Sequence, residues 1–383
     1  MKNISDSIKY VGVNDKTIDL FEGQYVVPNG VSYNSYVIMD KKIAVFDTVD
    51  KRKTDEWLAN LDVTLGKKQP DYLVISHMEP DHSASIRSFI KKYPTVTVVG
   101  NEKTFIIAER FFGNIFPNRY TVKEGDELSL GKHVLKFVFA PMVHWPEVMF
   151  TYEMTEKVLF SADAFGKFGA LDVEEDWLCE ARRYFINIVG KYGATVQSVL
   201  KKAATIDIKT ICPLHGPVLT ENLGYYIDKY NTWSSYTPED KGVLVAYTSV
   251  YGDTAEAATK LADMLKQKGE HVVLTDLARC DVAEAVEDAF RYDRLVIAST
   301  TYDGGLFPAA EYFINKLKAK NYQNRKVAII ENGSWAPMSG RLMRDRFAEM
   351  KNITPIGKIV TVKSAVKPET EKELAELAEE LVK

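Results

Sequence analysis

The sequence predicts an α/β and α+β chain of two domains: a two-sheet αββα sandwich over residues 1–240, then a doubly wound five-stranded parallel sheet over residues 241–383. Three observations lead there. At 383 residues the chain exceeds a typical single domain. Its first part groups short strands and sets helices at their margins, whereas its last part alternates strand and helix five times. Between the two lies a polar segment with Pro and Gly, Trp233 to Gly242, which reads as the domain boundary.

Taken in order, the first strands are expected at residues 24–30, 31–40 and 41–49, with turn signals at Pro28-Asn29-Gly30 and Asp40-Lys41. A helix follows over residues 53–65, then a strand at 71–76. Ser83 is a suitable N-cap for a helix over residues 84–93, which Pro94 stops. More strands come next: residues 95–100, a hairpin-like stretch over 127–141, and a pair at 148–154 and 157–163. Two helices around residues 176–204 precede a strand at 205–214. Past the boundary, strands at 242–248, 271–277, 293–300, 325–332 and 354–362 each lead into a helix. Ligands bind such sheets at the carboxyl ends of the strands.

Composition narrows the class. Hydrophobic residues make up 46% of the chain and charged residues 27%, an ordinary globular balance. A net charge of −4 gives no basic footprint for nucleic acid or an acidic membrane surface. No uncharged apolar run approaches the roughly 18 residues that span a bilayer. The first twenty residues lack the apolar core of a signal peptide. Cys179, Cys212 and Cys280 are odd in number and far apart, so they form neither a disulfide framework nor a CxxC metal knuckle. They read as small buried hydrophobes. The expectation is a cytoplasmic protein with no nucleic-acid and no membrane partner.

The densest chemistry follows the apolar run Tyr72-Leu73-Val74-Ile75, in Ser76-His77-Met78-Glu79-Pro80-Asp81-His82-Ser83. Four metal-ligand side chains fall within six positions there. On extended backbone His77, Glu79 and Asp81 share a face and His82 points elsewhere, so one loop can serve two metal ions. A solvated polar loop is the bland alternative. Further candidates stand just after other predicted strands: His144, Asp163 and His215. The set holds four histidines and three carboxylates, enough for two metals with Asp163 bridging. His133, within a predicted strand, and His271, at the start of one, read as ordinary core or surface residues. Mixed imidazole and carboxylate sites with open positions suit non-haem iron, and all-nitrogen sites suit zinc or copper. Glu79 supplies a hard oxygen where a zinc hydrolase of this pattern carries a third histidine. That moves the reading towards redox chemistry and leaves zinc open.

His77-x-Glu79-x-Asp81-His82, with His144 in His-Trp-Pro-Glu, Asp163 in Asp-Ala-Phe-Gly and His215 in His-Gly-Pro, resembles the flavodiiron proteins. These A-type flavoproteins join a metallo-β-lactamase-like domain to a flavodoxin-like domain, and the resemblance covers essentially the whole chain. It implies that His77, Glu79 and His144 hold one iron, that Asp81, His82 and His215 hold the other, and that Asp163 bridges them.

Between the first strand and first helix of the second domain lies Thr248-Ser249-Val250-Tyr251-Gly252-Asp253-Thr254. Its hydroxyls, with backbone N–H groups at a helix N-terminus, form an anion cradle suited to a phosphate. The loop lacks the lysine of a P-loop and the glycine spacing of a dinucleotide site, which argues against NTP and NAD. It resembles the FMN-phosphate loop of flavodoxins. Two further loops fit the isoalloxazine: Thr300-Thr301-Tyr302-Asp303-Gly304-Gly305, preceded by Ser299, and Asn332-Gly333-Ser334-Trp335-Ala336. Tyr302 and Trp335 are suited to stack on the ring faces. Two positions depart from the family: Asp253 where Asn or Ser is usual, and Thr300 where Pro is common. An ordinary βα connection is the alternative for each loop alone.

The resemblance implies an oxidoreductase that reduces O2 to water, NO to nitrous oxide, or both, at a non-haem diiron centre with electrons passed through FMN. It also implies a head-to-tail homodimer, or a dimer of dimers, that brings the FMN of one chain beside the irons of the other. With no CxxC pair in the sequence, electrons are expected from a separate donor such as rubredoxin, or from a reduced deazaflavin. Trp145, Phe165 and Tyr192 are candidates for the pocket over the metals, with core packing as their alternative. Two other readings remain: a zinc-dependent hydrolase whose flavodoxin-like part is a docking domain, and an electron carrier with a degenerate metal domain.

Overall fold

Short runs of β-branched and aromatic residues in the first part of the chain pair into two sheets that share one core. The structure, a computed structural model, describes residues 3–116 and 118–383. Its packing gives two units: one runs to Phe185 and takes in Ala194–Asn231, and the other comprises Ile186–Gly193 and Thr232–Lys383. No helix among the described residues is long and apolar enough to cross a membrane.

In the first unit a six-stranded sheet runs in the order Ile8–Tyr10, Tyr36–Ile38, Ala44–Phe46, Tyr72–Val74, Thr97–Gly100, Asn118–Thr121. The first three strands are antiparallel and the rest join in parallel. The second sheet orders Glu127–Ser129, Val134–Phe139, Met149–Glu153, Val158–Phe160 and Thr210–Cys212. Period-2 alternation turns Tyr36, Ile38, Phe46 and Val74 of one sheet towards Leu135, Phe137, Phe160 and Cys212 of the other, in a single buried cluster. Phe46 and Phe160 stack across it with ring centroids 4.0 Å apart.

Several elements differ from expectation for local reasons. Residues 24–30 are not one strand: Tyr25–Val26 pairs back on Leu20–Phe21 as a short hairpin. The expected strand over residues 31–40 breaks in two because Asn34 leaves the ladder, donating its side-chain amide to the carbonyls of Pro213 and Gly216, each at 2.8 Å. Ser83 does not cap a helix. It ends the turn Pro80–Ser83, its hydroxyl donates to the Met78 carbonyl, and the next helix is Ile86–Lys92. Helices Glu102–Phe112 and Leu223–Ser234 were not anticipated. Cys179 is exposed, whereas Cys212 is buried as expected.

The second unit matches its pattern closely. Val272–Asp276, Asp240–Tyr247, Tyr292–Tyr302 and Arg325–Asn332 lie side by side in parallel. The fifth strand is split into Ile353–Pro355 and Val360–Val362, both paired with Arg325–Asn332. The break falls at Gly357, where φ is +64° and a Cβ would meet Leu377 at 2.9 Å. Helices Asp253–Gln267 and Pro368–Leu381 cover one face through Leu261, Leu265, Leu374 and Leu377.

His133 lies in the turn before Val134–Phe139 rather than within a strand, and serves as a buried pin. Its Nδ1 is 2.8 Å from Asp40 Oδ2 and its Nε2 is 3.1 Å from Glu156 Oε1. Burial alone would lower its pKa, but the hydrogen bonds to Glu156 and Asp40 raise it. The folded chain therefore holds this proton more tightly than the unfolded one. The resulting stabilisation is full below about pH 6.5 and is lost as pH rises through the folded value. His133→Gln should lower the unfolding midpoint more at pH 6 than at pH 9, measured by thermal melts. Equal losses would reduce its role to packing.

Candidate functional site

The carboxyl ends of several strands in the first unit deliver polar side chains to one place. Ala44–Phe46 leads to Asp47, a buried carboxylate that accepts from the backbone N–H groups of Ser76 at 2.7 Å and His77 at 3.2 Å. Burial pushes the Asp47 carboxyl up to about 6. These bonds anchor the ligand loop after Tyr72–Val74. Glu79 is still extended, but Pro80 opens a helical turn, so Asp81 and His82 leave the extended path. The expected single face for His77, Glu79 and Asp81 therefore ends at Glu79.

The bend sorts the ligands. His77 and Glu79 meet His144 and Asp163, while Asp81 and His82 meet His215, with the ligand atoms of each group within 4.8 Å of one another. Asp163 faces both groups. Its Oδ2 is 3.3 Å from His77 Nε2 and 3.2 Å from His144 Nε2, and its Oδ1 is 3.2 Å from His82 Nε2 and 3.8 Å from His215 Nε2. All seven residues singled out from the sequence thus come together.

The electrostatics call for cations. The buried oxygens of Asp81 and Asp163 lack hydrogen-bond partners, and the Nε2 atoms of His82 and His215 stand 3.0 Å apart. Two imidazole lone pairs at that separation repel unless a proton or a metal lies between them, and unpaired buried carboxylates are costly. Burial would lower the pKa of His144, but the carboxylates of Asp163 and Glu79, 3.2 Å and 3.1 Å from its Nε2, raise it to about 9. Burial would raise the Asp163 carboxyl, yet the charges of His77 and His82 hold it well below its usual range. The donor set of hard oxygens and imidazoles fits two metal ions, one in each group.

Neighbours aim the imidazoles. His77 Nδ1 donates to Glu147 Oε1 at 2.8 Å, and the same oxygen accepts from Met78 N–H at 2.8 Å. His215 Nδ1 donates to the Ser32 carbonyl at 2.7 Å. Both bonds leave Nε2 as the nitrogen that faces the site, where a metal could displace its proton and take its lone pair. Trp145 packs edge-on against His77 at 5.3 Å. Phe165 instead packs against Tyr230, and Tyr192 belongs to a segment that groups with the second unit. The aromatic wall on the other side, Phe21, Tyr33 and Tyr184 around His215, was not foreseen. Nor was Glu147, although an acid three residues past His144 was the available cue. A cavity of about 330 Å³, lined by Tyr33, Asp50, Arg52, Glu79 and Asp81 among others, opens onto the site.

In the second unit the three expected loops line one cavity of about 520 Å³ at the carboxyl ends of the strands. Thr248 does not reach it; buried, its hydroxyl donates to Ser299 Oγ at 3.0 Å. Gly252 and Gly305 are also absent from the lining, while Met338 and Ser364 join it. Asn332 ties the loops together, donating to Thr254 Oγ1 at 3.2 Å and to the Ser364 carbonyl at 2.9 Å. Tyr251 and Trp335 are 93% and 91% exposed, so their ring faces are free to cover a planar ligand. A cavity with hydroxyls and a helix N-terminus at one end and bare aromatics at its rim fits FMN.

Two stretches of the chain match known families. Residues 31–216 match the family described as ODP family beta lactamase, and residues 244–352 match a flavodoxin domain. An uncharacterized protein of Methanocaldococcus jannaschii is 31% identical over 317 residues, 81% of this chain and 80% of that one. The nitric oxide reductase of Moorella thermoacetica is 29% identical over 358 residues, 91% of this chain and 90% of that one. The rubredoxin:oxygen oxidoreductase of Desulfovibrio gigas superposes with a TM-score of 0.92 at 25% identity, covering 99% of this chain and 97% of that one. The chain belongs to the flavodiiron proteins. The flavodiiron protein of Giardia intestinalis is similar too, with a TM-score of 0.90 at 25% identity over 99% of this chain and 96% of that one.

In this flavodiiron protein Glu147→Gln should weaken metal affinity about 10–100-fold with circular dichroism unchanged, because His77 loses its charged orienting partner. Unaltered affinity in a metal titration would confine Glu147 to holding the Met78 backbone.

Proposed function

We propose that this protein reduces O2 to water, NO to nitrous oxide, or both, at a pair of iron ions, with electrons entering through FMN. The observation that carries the reading is Asp163, whose two oxygens face two separate imidazole and carboxylate groups. His77, Glu79 and His144 would hold one ion, Asp81, His82 and His215 the other, and Asp163 would bridge them. When bound, the irons and the flavin supply the redox chemistry, taking up and passing on electrons.

The chain itself positions and shields. Glu147 and the Ser32 carbonyl fix which imidazole nitrogen faces inwards. Phe21, Tyr33, Tyr184 and Trp145 keep bulk water from the imidazoles, and the cavity beside Tyr33 and Arg52 is large enough for a diatomic gas. Arg52 donates to the Tyr33 hydroxyl at 3.0 Å, which leaves that hydroxyl hydrogen free to donate. In the second unit Ser249, Thr254 and the start of helix Asp253–Gln267 would receive the FMN phosphate, and Tyr302 and Trp335 the ring.

A small external donor such as rubredoxin is part of the reading, supported by the name of the Desulfovibrio gigas relative. So is a head-to-tail homodimer, supported by the bare aromatic rim of the flavin cavity. A cytoplasmic setting is supported by a cysteine content of three, an odd number too sparse for a disulfide framework. The zinc hydrolase alternative is disfavoured by Glu79 at a ligand position and by the flavin-shaped cavity.

Anaerobically purified protein should carry roughly two iron per chain, as a two-metal site requires, and a yellow flavin spectrum. With reduced rubredoxin it should consume O2 or NO; consumption of neither would refute the activity. Glu79→Ala should deplete iron by metal analysis while FMN stays bound. Loss of both would mean misfolding instead.

A further inference from the structure

No side chain among the described residues that line the flavin cavity carries a positive charge. Of the side chains that line it, only Asp253 and Asp303 are charged, and both are carboxylates. Its neutral donors are poised for an anion. Ser249 Oγ accepts the Gly252 N–H at 3.0 Å, and Thr254 Oγ1 accepts from Asn332 at 3.2 Å, so each hydroxyl hydrogen remains free to donate. Asp253 stands between these residues in sequence, as the first residue of helix Asp253–Gln267, half-buried and facing the cavity. Among the described residues it pairs with no Lys, Arg or His.

We propose that Asp253 is the residue that limits FMN affinity in this chain and narrows its preference for FMN over riboflavin; the inference rests on the flavin site of the proposed function. Two effects act together. An FMN phosphate carries close to two negative charges at neutral pH, and an unpaired carboxylate beside its cradle repels it. A carboxylate in the first turn also occupies the positive end of the helix dipole, the feature that would otherwise attract the phosphate. Riboflavin has no phosphate and escapes both effects, while its ring meets the same aromatic rim. Asp303 is shared by both ligands and lies in the loop expected against the ring, so it does not discriminate between them.

The test is fluorescence titration of flavin-stripped full-length protein with FMN and with riboflavin, for wild type and Asp253→Asn. Asp253→Asn should tighten FMN about five- to thirtyfold and leave riboflavin within twofold. Added salt should strengthen FMN binding to wild type more than to the variant, because it screens the repulsion. An FMN affinity unchanged by Asp253→Asn, or an equal gain for both flavins, would overturn the proposal while leaving the flavin site standing. Failure of wild type and variant to bind either flavin would overturn the site itself, and the proposal with it.

Discussion

Four buried imidazoles and the buried carboxylates of Asp81 and Asp163, with Glu79 half-buried beside them, are the constraint around which the first unit is arranged. Burying Asp81 and Asp163 without hydrogen-bond partners works only if ions or protons compensate them, and only if the surroundings cannot relax to let water in. The facing sheets meet the second condition. Their shared core, with Phe46 stacked on Phe160, makes the strand ends rigid platforms, and short polar ties hold the loops to them. Asp47 holds the start of the loop that begins at Ser76. Thr48 donates to the His82 carbonyl through both backbone and side chain, and Asn34 pins the segment that carries His215.

Much of this was legible because metal chemistry uses few residue types. A histidine or carboxylate just past an apolar run is informative by itself, and each ligand found from the sequence sits in such a place. The partners of those ligands were not legible. Ser32 contributes a backbone carbonyl, which no residue identity announces, and Tyr184 reaches His215 from a helix far along the chain. Glu147 looked like part of a motif rather than an orienting group. Local cues also competed: alternation suggested an extended loop through Asp81, but the fixed φ of Pro80 started a helical turn. Helix Leu223–Ser234 carries little local signal because Tyr, Asn, Thr and Trp are weak helix formers, and tertiary packing decides for them.

The second unit was easier to read, since a parallel sheet covered on both faces writes itself as nearly continuous apolar strands alternating with amphipathic helices. Its five strands and helices fall where the pattern puts them, apart from the interruption at Gly357. The lining of the cavity was less complete. Ser364 follows the last strand and reaches the site through paired contacts with Asn332, a long-range arrangement that no local spacing encodes.

The six residues from His77 to His82 supply both halves of the metal centre, two side chains to each. On the proposed assignment the halves are not independent ports. Because the loop is tied to the fold at Asp47 and Thr48, whatever moves that short backbone displaces side chains of both groups together, so the two halves stand or fall as one.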